Sequence, residues 1–328
     1  MTGPADPEVL VRVVRSGLEE SVHHGHVAVC DAEGRLIAFA GDPHRRVFAR
    51  SCMKPLQAAV ALSLIEDELT DREVAVMCAS HNGEPVHIET VEALLARGGL
   101  GFDALRCPPG WPLDEQSTAR AGEKRRETHN CSGKHAGMVL ACRRAGWDLE
   151  TYRQPVHPLQ TRVTEVVLLV TGLEEVSTGV DGCGVVVHGM ALSRMATLFA
   201  RLATPARWTG LEAAVARAGA AMRAEPYLVA GRNRVDTALM EVTPDLVVKA
   251  GAEGLLCAAS LSRGIGVAVK VADGGARADA PALIHALLEL GLLDHEAVEP
   301  LTPHARPAVL GGGLPVGESI ADFALRRD

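Results

Sequence analysis

Lysine is scarce in this chain: of 33 basic residues only five are lysine, at positions 54, 124, 134, 249 and 270. There is no lysine-rich tract and no interleaving of basic with aromatic residues, and the formal charge is −8 with a pI near 5.9. That excludes the concentrated basic face that nucleic-acid phosphates require, and leaves a small or weakly charged ligand. The first twelve residues include Asp6 and Glu8 and no uninterrupted apolar stretch, so neither a secretory leader nor a membrane span is expected there and a cytoplasmic protein is. Repeats, low-complexity segments and linkers are missing as well. What is present, 47% hydrophobic and 23% charged residues over 328 positions, is the composition of a globular protein with one large core or two interlocked subdomains.

The eight cysteines are spread thinly. Cys30, Cys142 and Cys257 sit in apolar runs, as small core residues do. Cys131 and Cys183 differ, because both lie in turns rich in glycine and polar residues.

Sheet is expected at 9–14, 26–30 and 36–40, the last two joined by the tight turn Asp31-Ala32-Glu33-Gly34. The pattern then becomes helical at 54–64, with Pro55 tolerated in the first turn. Further helices are expected at 88–97, 133–144, 159–169, 192–202 and 211–223. Strands return at 246–249, 255–261 and 264–271, followed by a helix at 281–290 and a Pro/Gly-rich tail. The fold class is α+β: strands from both ends of the chain share one mostly antiparallel sheet, and a large helical subdomain packs beside it. One catalytic domain spans 1–328, with 1–50 and 246–328 rich in sheet and 51–245 mostly helical.

The lysines carry the chemistry. Arginine effectively never loses its proton, whereas lysine can be desolvated into a base or a ligand. Lys124, in Glu123-Lys124-Arg125-Arg126-Glu127, belongs to a solvated mixed-charge run, and Lys270 alternates with valines as the polar face of a strand does. The other three stand in short motifs. Ser51-x-x-Lys54 at a helix start puts hydroxyl and amine one turn apart on one face, where the amine can take the hydroxyl proton. The helix terminus adds a potential that favours an oxyanion; a serine in front of a helix is also an ordinary N-cap. Lys249-Ala250-Gly251, on an expected strand, resembles the Lys-Thr/Ser-Gly strand of serine penicillin-recognising enzymes and β-lactamases, and its glycine allows close approach of a ligand. Ser80 begins a polar turn after the apolar run 74–77, placed to carry a proton or simply to make the turn. Cys131-x-x-Lys134 with the distant Cys183 offers two thiolates and an amine. Two thiolates suit zinc, a lysine ligand is unusual, and Lys134 serves equally well as a carboxylate anchor. His129 and His135 flank the motif as further candidate ligands.

Taken in order, Ala49-Arg50-Ser51-x-x-Lys54-Pro55, Met77-Cys78-Ala79-Ser80-His81, Asn130-Cys131-Ser132-Gly133-Lys134-His135, Thr178-x-x-Asp181-Gly182-Cys183, Lys249-x-Gly251-Ala252 and Val269-Lys270-Val271-x-Asp273-Gly274 resemble the asparaginase II family, the rhizobial inducible type (class 3) of L-asparaginase. The resemblance spans nearly the whole chain. It implies a serine β-lactamase/glutaminase-like fold, a homodimer, and hydrolysis of L-asparagine to L-aspartate and ammonia. It also implies Ser-Lys pairs at Ser51 with Lys54 and Ser80 with Lys249, substrate contacts at Arg50 and Asp181, and zinc on Cys131, Lys134 and Cys183. To His129 it assigns nothing.

The mechanism expected from this is acyl transfer. A neutral Lys54 deprotonates Ser51, which attacks the side-chain amide carbon; Ser80 relays the proton to the leaving nitrogen, and water cleaves the ester. Rival readings are a glutaminase, a β-lactam-directed hydrolase with the same lysines, and a non-catalytic ligand-binding protein on the same scaffold. Zinc in a purely structural role is a further alternative.

Overall fold

The β-branched runs at the two ends of the chain become strands of a single sheet. The structure is a computed structural model that describes residues 6–327; the first five residues of the N-terminal stretch considered above, and the last residue of the chain, lie outside the described residues. The strands are β1 (Glu8–Arg15), β2 (Leu18–Asp31), β3 (Leu36–Ala40), β4 (Arg46–Phe48), β5 (Ser177–Val180), β6 (Val186–Ala191), β7 (Leu246–Ala250), β8 (Leu255–Ser260), β9 (Ile265–Val271), β10 (Ala308–Gly311), β11 (Leu314–Ala321) and β12 (Arg326–Arg327). The helices are α1 (Lys54–Leu62), α2 (Asp71–Met77), α3 (Pro85–Ala96), α4 (Glu115–Arg120), α5 (Ser132–Ala145), α6 (Pro158–Thr171), α7 (Leu192–Leu202), α8 (Glu212–Ala224), α9 (Pro226–Val229), α10 (Val235–Val242), α11 (Ala276–Glu289) and α12 (Thr302–Ala305). The fold is α+β, in two compact units. One takes the described residues of Met1–Cys52, Gly189–Thr204 and Ala238–Asp328, the other Met53–His188 and Pro205–Thr237.

In the first unit the sheet runs β10-β11-β1-β2-β9-β8-β7, with β3 added to β2 and β12 to β3. Its named pairings are antiparallel, and the centre is a valine-alanine ladder, Val27↔Val269, Ala28↔Ala268 and Val29↔Val267. β7 and β8 are buried along their whole length, and α7 and α11 pack on β8 and β9. Burying each valine or leucine there contributes about 1.5–3 kcal/mol. Gly266 explains how α7 gets so close: a Cβ at this position would stand 1.9 Å from Ala196 O. The helix backbone lies directly against the strand.

Among the departures from the expected elements, three have a clear physical cause. β2 starts at Leu18, well before 26, because its exposed polar half is held by backbone pairing to β1 and needs no apolar side chains. The Pro/Gly-rich tail is a hairpin, β10 and β11, turned by Gly312 and Gly313 at φ +59° and +83°, the conformation a two-residue turn demands. The last apolar turn before Ser80 belongs to a helix, α2. Its start is fixed by a capping box in which Thr70 Oγ1 accepts from Glu73 N at 3.3 Å and Glu73 Oε2 accepts from Thr70 N at 2.7 Å.

The second unit is built around α1, whose residues from Lys54 to Ala61 are all buried; it packs on α5, α6 and α8. α5 approaches α2 through two glycines one turn apart. A Cβ on Gly133 would meet Val76 O at 2.2 Å, and one on Gly137 would meet the Met77 side chain at 2.7 Å. Cys131 and Lys134 are thereby carried to the end of α2, where Ser80 follows.

His188 in β6 gives this unit a pH dependence. It is fully buried, with Nε2 2.9 Å from Thr164 Oγ1 and Nδ1 without a partner, and burial pushes it down to about 4. Below about 6.5 the unfolded chain takes a proton on this residue while the folded protein does not, so stability falls as pH drops from 6.5 to 4. The slope from this residue is up to about 1.4 kcal/mol per pH unit. Urea unfolding of His188→Gln is expected to show a pH slope shallower by that amount over this window; an unaltered slope would show that His188 does not sense pH.

Candidate active site

Lys54 opens α1 and is 1% exposed. Its Nζ donates to Ala79 O at 2.5 Å and to Asn130 O at 3.5 Å, and lies 2.8 Å from Ser80 Oγ. The two carbonyls only accept, so each takes an N–H of the amine, while the Ser80 hydroxyl can accept from an ammonium or donate to the lone pair of a neutral amine. This is the arrangement a serine–amine proton transfer needs.

Ser80 is held from both sides within this unit. Ser80 N donates to Val229 O at 2.9 Å, His81 N to Asn130 O at 3.1 Å and Asn82 N to Ala230 O at 2.8 Å. His81 is fully buried. Its Nδ1 accepts from Gly83 N at 3.1 Å, which leaves Nε2 to donate to Ser132 Oγ at 2.8 Å; that hydroxyl donates on to Glu127 O at 2.8 Å. Burial, with the charges of its neighbours, holds His81 well below its ordinary pKa. It is a neutral brace between the Ser80 turn and the start of α5.

Cys131, Lys134 and Cys183 converge at the start of α5 and are all nearly inaccessible. Lys134 Nζ donates to Cys183 Sγ at 3.0 Å. A hydrogen bond from Cys131 and the charge of Lys134 hold Cys183 far below the usual thiol range, against burial, while giving its hydrogen to Cys183 and burial push Cys131 well up. Burial pulls Lys134 down, but the Cys183 and Cys131 sulfurs outweigh it and the net direction is up. Among the described residues no three His, Cys, Asp or Glu side chains converge as a metal site, so a metal here has to use the lysine. Two sulfurs fit the donor preferences of zinc, and the Lys134 amine would join them on losing its proton. Asp181 lies in the same turn as Cys183, with its Oδ1 accepting from Gly182 N at 2.9 Å.

In the first unit Ser51 sits on the 3-10 turn Arg50–Met53. Arg50 has φ +43° and its Nη1 is 3.8 Å from Oε1 of Glu253, itself at φ +62°; such left-handed residues are rare outside glycine and cluster where function holds them. Cys52 Sγ donates to Lys249 O at 3.1 Å, which ties the Ser51 turn to β7. Lys249 is fully buried, with Nζ donating to Ala250 O at 2.7 Å. A Cβ on Gly251 would lie 3.1 Å from Cys52 Sγ, so the glycine makes room for the neighbouring chain.

Sequence reasoning missed Asn82, Glu84 and the loop that answers them. Buried Glu84 accepts from Tyr227 OH at 2.5 Å, Arg232 N at 3.0 Å and Asn82 Nδ2 at 3.2 Å. Asn82 Nδ2 also donates to Arg232 O at 2.9 Å. A polar turn containing Glu reads as solvated, and nothing near it in sequence names the partner segment.

A family model described as L-asparaginase II matches residues 11–321, which makes the protein an amidohydrolase. It belongs to the L-asparaginase II family. No curated protein sequence matches. Among solved structures the chain is similar to a β-lactamase from Mycobacterium bovis, with 20% identity, 82% of this chain and 95% of that one covered, and a TM-score of 0.44. It is also similar to a Bacillus subtilis glutaminase in covalent complex with 5-oxo-L-norleucine, with 13% identity, 86% and 92% covered, and a TM-score of 0.35. Simvastatin synthase from Aspergillus terreus gives 14% identity, 75% and 86% covered, and a TM-score of 0.39. Among the described residues no helix is long and apolar enough to cross a membrane.

Proposed function

We propose that the protein is an L-asparaginase that hydrolyses the side-chain amide of L-asparagine to L-aspartate and ammonia through a Ser-Lys acyl-enzyme. The observation that carries this reading is the 2.8 Å contact between Lys54 Nζ and Ser80 Oγ, in a protein of the L-asparaginase II family. Ser51, one turn ahead of Lys54 in the chain, is the nucleophile. Contacts with Ala79 O and Asn130 O position the amine, and its contact with the Ser80 hydroxyl offers a proton taken from Ser51 a route to Ser80 and on to the leaving nitrogen. Lys249 supplies the second amine, and Arg50 and Asp181 are substrate contacts. Zinc would be held by Cys131, Lys134 and Cys183, where it would supply a Lewis-acidic contact for the amino-acid end of the substrate. The working form is a cytoplasmic homodimer.

The test is ammonia release by purified protein from L-asparagine, with L-glutamine and a chromogenic cephalosporin in parallel. Asparagine is expected to be preferred, and Ser51→Ala to lower kcat by about 10³-fold or more. Normal turnover by Ser51→Ala would remove Ser51 as nucleophile. Preference for glutamine or the cephalosporin would replace asparagine as the substrate, and no turnover of any of them would favour a binding protein.

A further inference from the structure

Arg234 stands directly before α10, and its guanidinium reaches the backbone of the serine that Lys54 contacts. Nη1 alone makes both of its bonds, donating to Ser80 O at 3.3 Å and Asn82 Oδ1 at 3.2 Å. Nε and Nη2 have no hydrogen-bond partner among the described residues, and no carboxylate there pairs with this arginine. Glu84, which holds this loop through Arg232, is itself engaged: it takes Tyr227, Asn82 and the more exposed Arg232. A half-buried guanidinium next to a buried amine, in a protein of formal charge −8, is a cationic spot with no anion of its own.

The loop that delivers Arg234 turns through Asn233 at φ +58°, the left-handed region that asparagine tolerates better than most side chains. Gly231 has φ +118°, and a Cβ there would lie 2.5 Å from Glu84 Oε1. A bracing role accounts for the two bonds of Nη1. It does not account for the edge formed by Nε and Nη2, which is the edge that grips a carboxylate through two parallel bonds.

We propose that Arg234 binds the α-carboxylate of the substrate and so selects amino acids whose carboxyl group is free. This rests on the asparagine-hydrolase reading above. Nη1 lies 3.3 Å from Ser80 O, so the guanidinium stands within one residue's span of the Ser80 hydroxyl, and a short amino acid held on its free edge would stay close to that serine.

The test compares L-asparagine with L-asparaginamide, whose α-carboxyl is capped, in wild type, Arg234→Met and Arg234→Lys. For Arg234→Met we expect KM for asparagine to rise about 100-fold, the loss in kcat/KM on asparagine to exceed that on asparaginamide by at least about 30-fold, and Arg234→Lys to recover part of it. Equal losses on the two substrates, or an unchanged KM for asparagine, would overturn the assignment and leave Arg234 as a loop brace. Should the wild type hydrolyse no asparagine, the functional reading falls by itself, and the anchor is then read from thermal shifts with L-aspartate and succinate. Stabilisation that Arg234→Met loses supports it; no stabilisation of the wild type overturns it.

Discussion

Lys54→Met is expected to lower kcat for the proposed hydrolysis of asparagine by about 10³-fold or more while the protein stays folded, and Lys54→Arg is expected not to restore it. Methionine is close in length to lysine and fits a site that is only 1% exposed. It leaves Ala79 O and Asn130 O without their donor, at about 1–3 kcal/mol each. It also removes a buried amine whose desolvation is costly, so the net change in stability is modest. The arginine variant separates two roles for the residue. If Lys54 only provided positive charge, a guanidinium would serve; if it accepts a proton, a group that never releases its own cannot. Ammonia release together with urea unfolding for both variants decides the matter. An arginine variant retaining more than a tenth of wild-type kcat, folded or partly so, would show that Lys54 is not the base.

The scarcity of lysine that drew attention to Lys54 also singled out Lys134, and the fold brings each to a partner from another motif. Lys54 and Lys134 each sit at a helix start, buried, and each meets a side chain from a distant motif, Ser80 and Cys183. The two meetings are linked, because the carbonyl that receives Lys54 belongs to Asn130, one residue before Cys131. What the sequence could not show is why the motifs have their spacing. Gly133 reads as a neutral member of Cys131-Ser132-Gly133-Lys134 until α5 is seen resting on the carbonyl of Val76. The Glu84 hub is harder still. Its partners Tyr227 and Arg232 lie more than 140 positions away, and each of these residues alone is an ordinary surface type. The sheet was legible where valine and alanine alternate and illegible where pairing is carried by backbone alone, as in the first half of β2. The hairpin of β10 and β11 had a signal, Gly312-Gly313 between two apolar runs, which the proline content of the tail obscured.

Zinc added to metal-stripped protein is expected to raise its unfolding free energy by about 4 kcal/mol at a free concentration a thousand times its Kd, and Cys183→Ser to lose most of that increment. The candidate donors stand together: Lys134 contacts Cys183 at 3.0 Å, and Cys131 hydrogen-bonds the same sulfur. A preassembled set loses little conformational freedom when it closes on an ion. Removing Cys183 has its own cost, since it leaves the Lys134 amine buried without its sulfur partner. The quantity to compare is therefore the increment due to zinc in each protein, measured by melting with and without the metal, and not the starting stability. Metal content after gel filtration, expected near one zinc per chain in the wild type, gives a second readout independent of turnover. A wild type that binds no zinc, or a Cys183→Ser protein stabilised as much as the wild type, would remove the metal from this cluster. In that event Lys134 and Cys183 stand as a buried ion pair. If zinc binds and its removal lowers the melting temperature without raising KM for asparagine, the metal is structural; a KM that rises on chelation places it at the amino-acid end of the substrate.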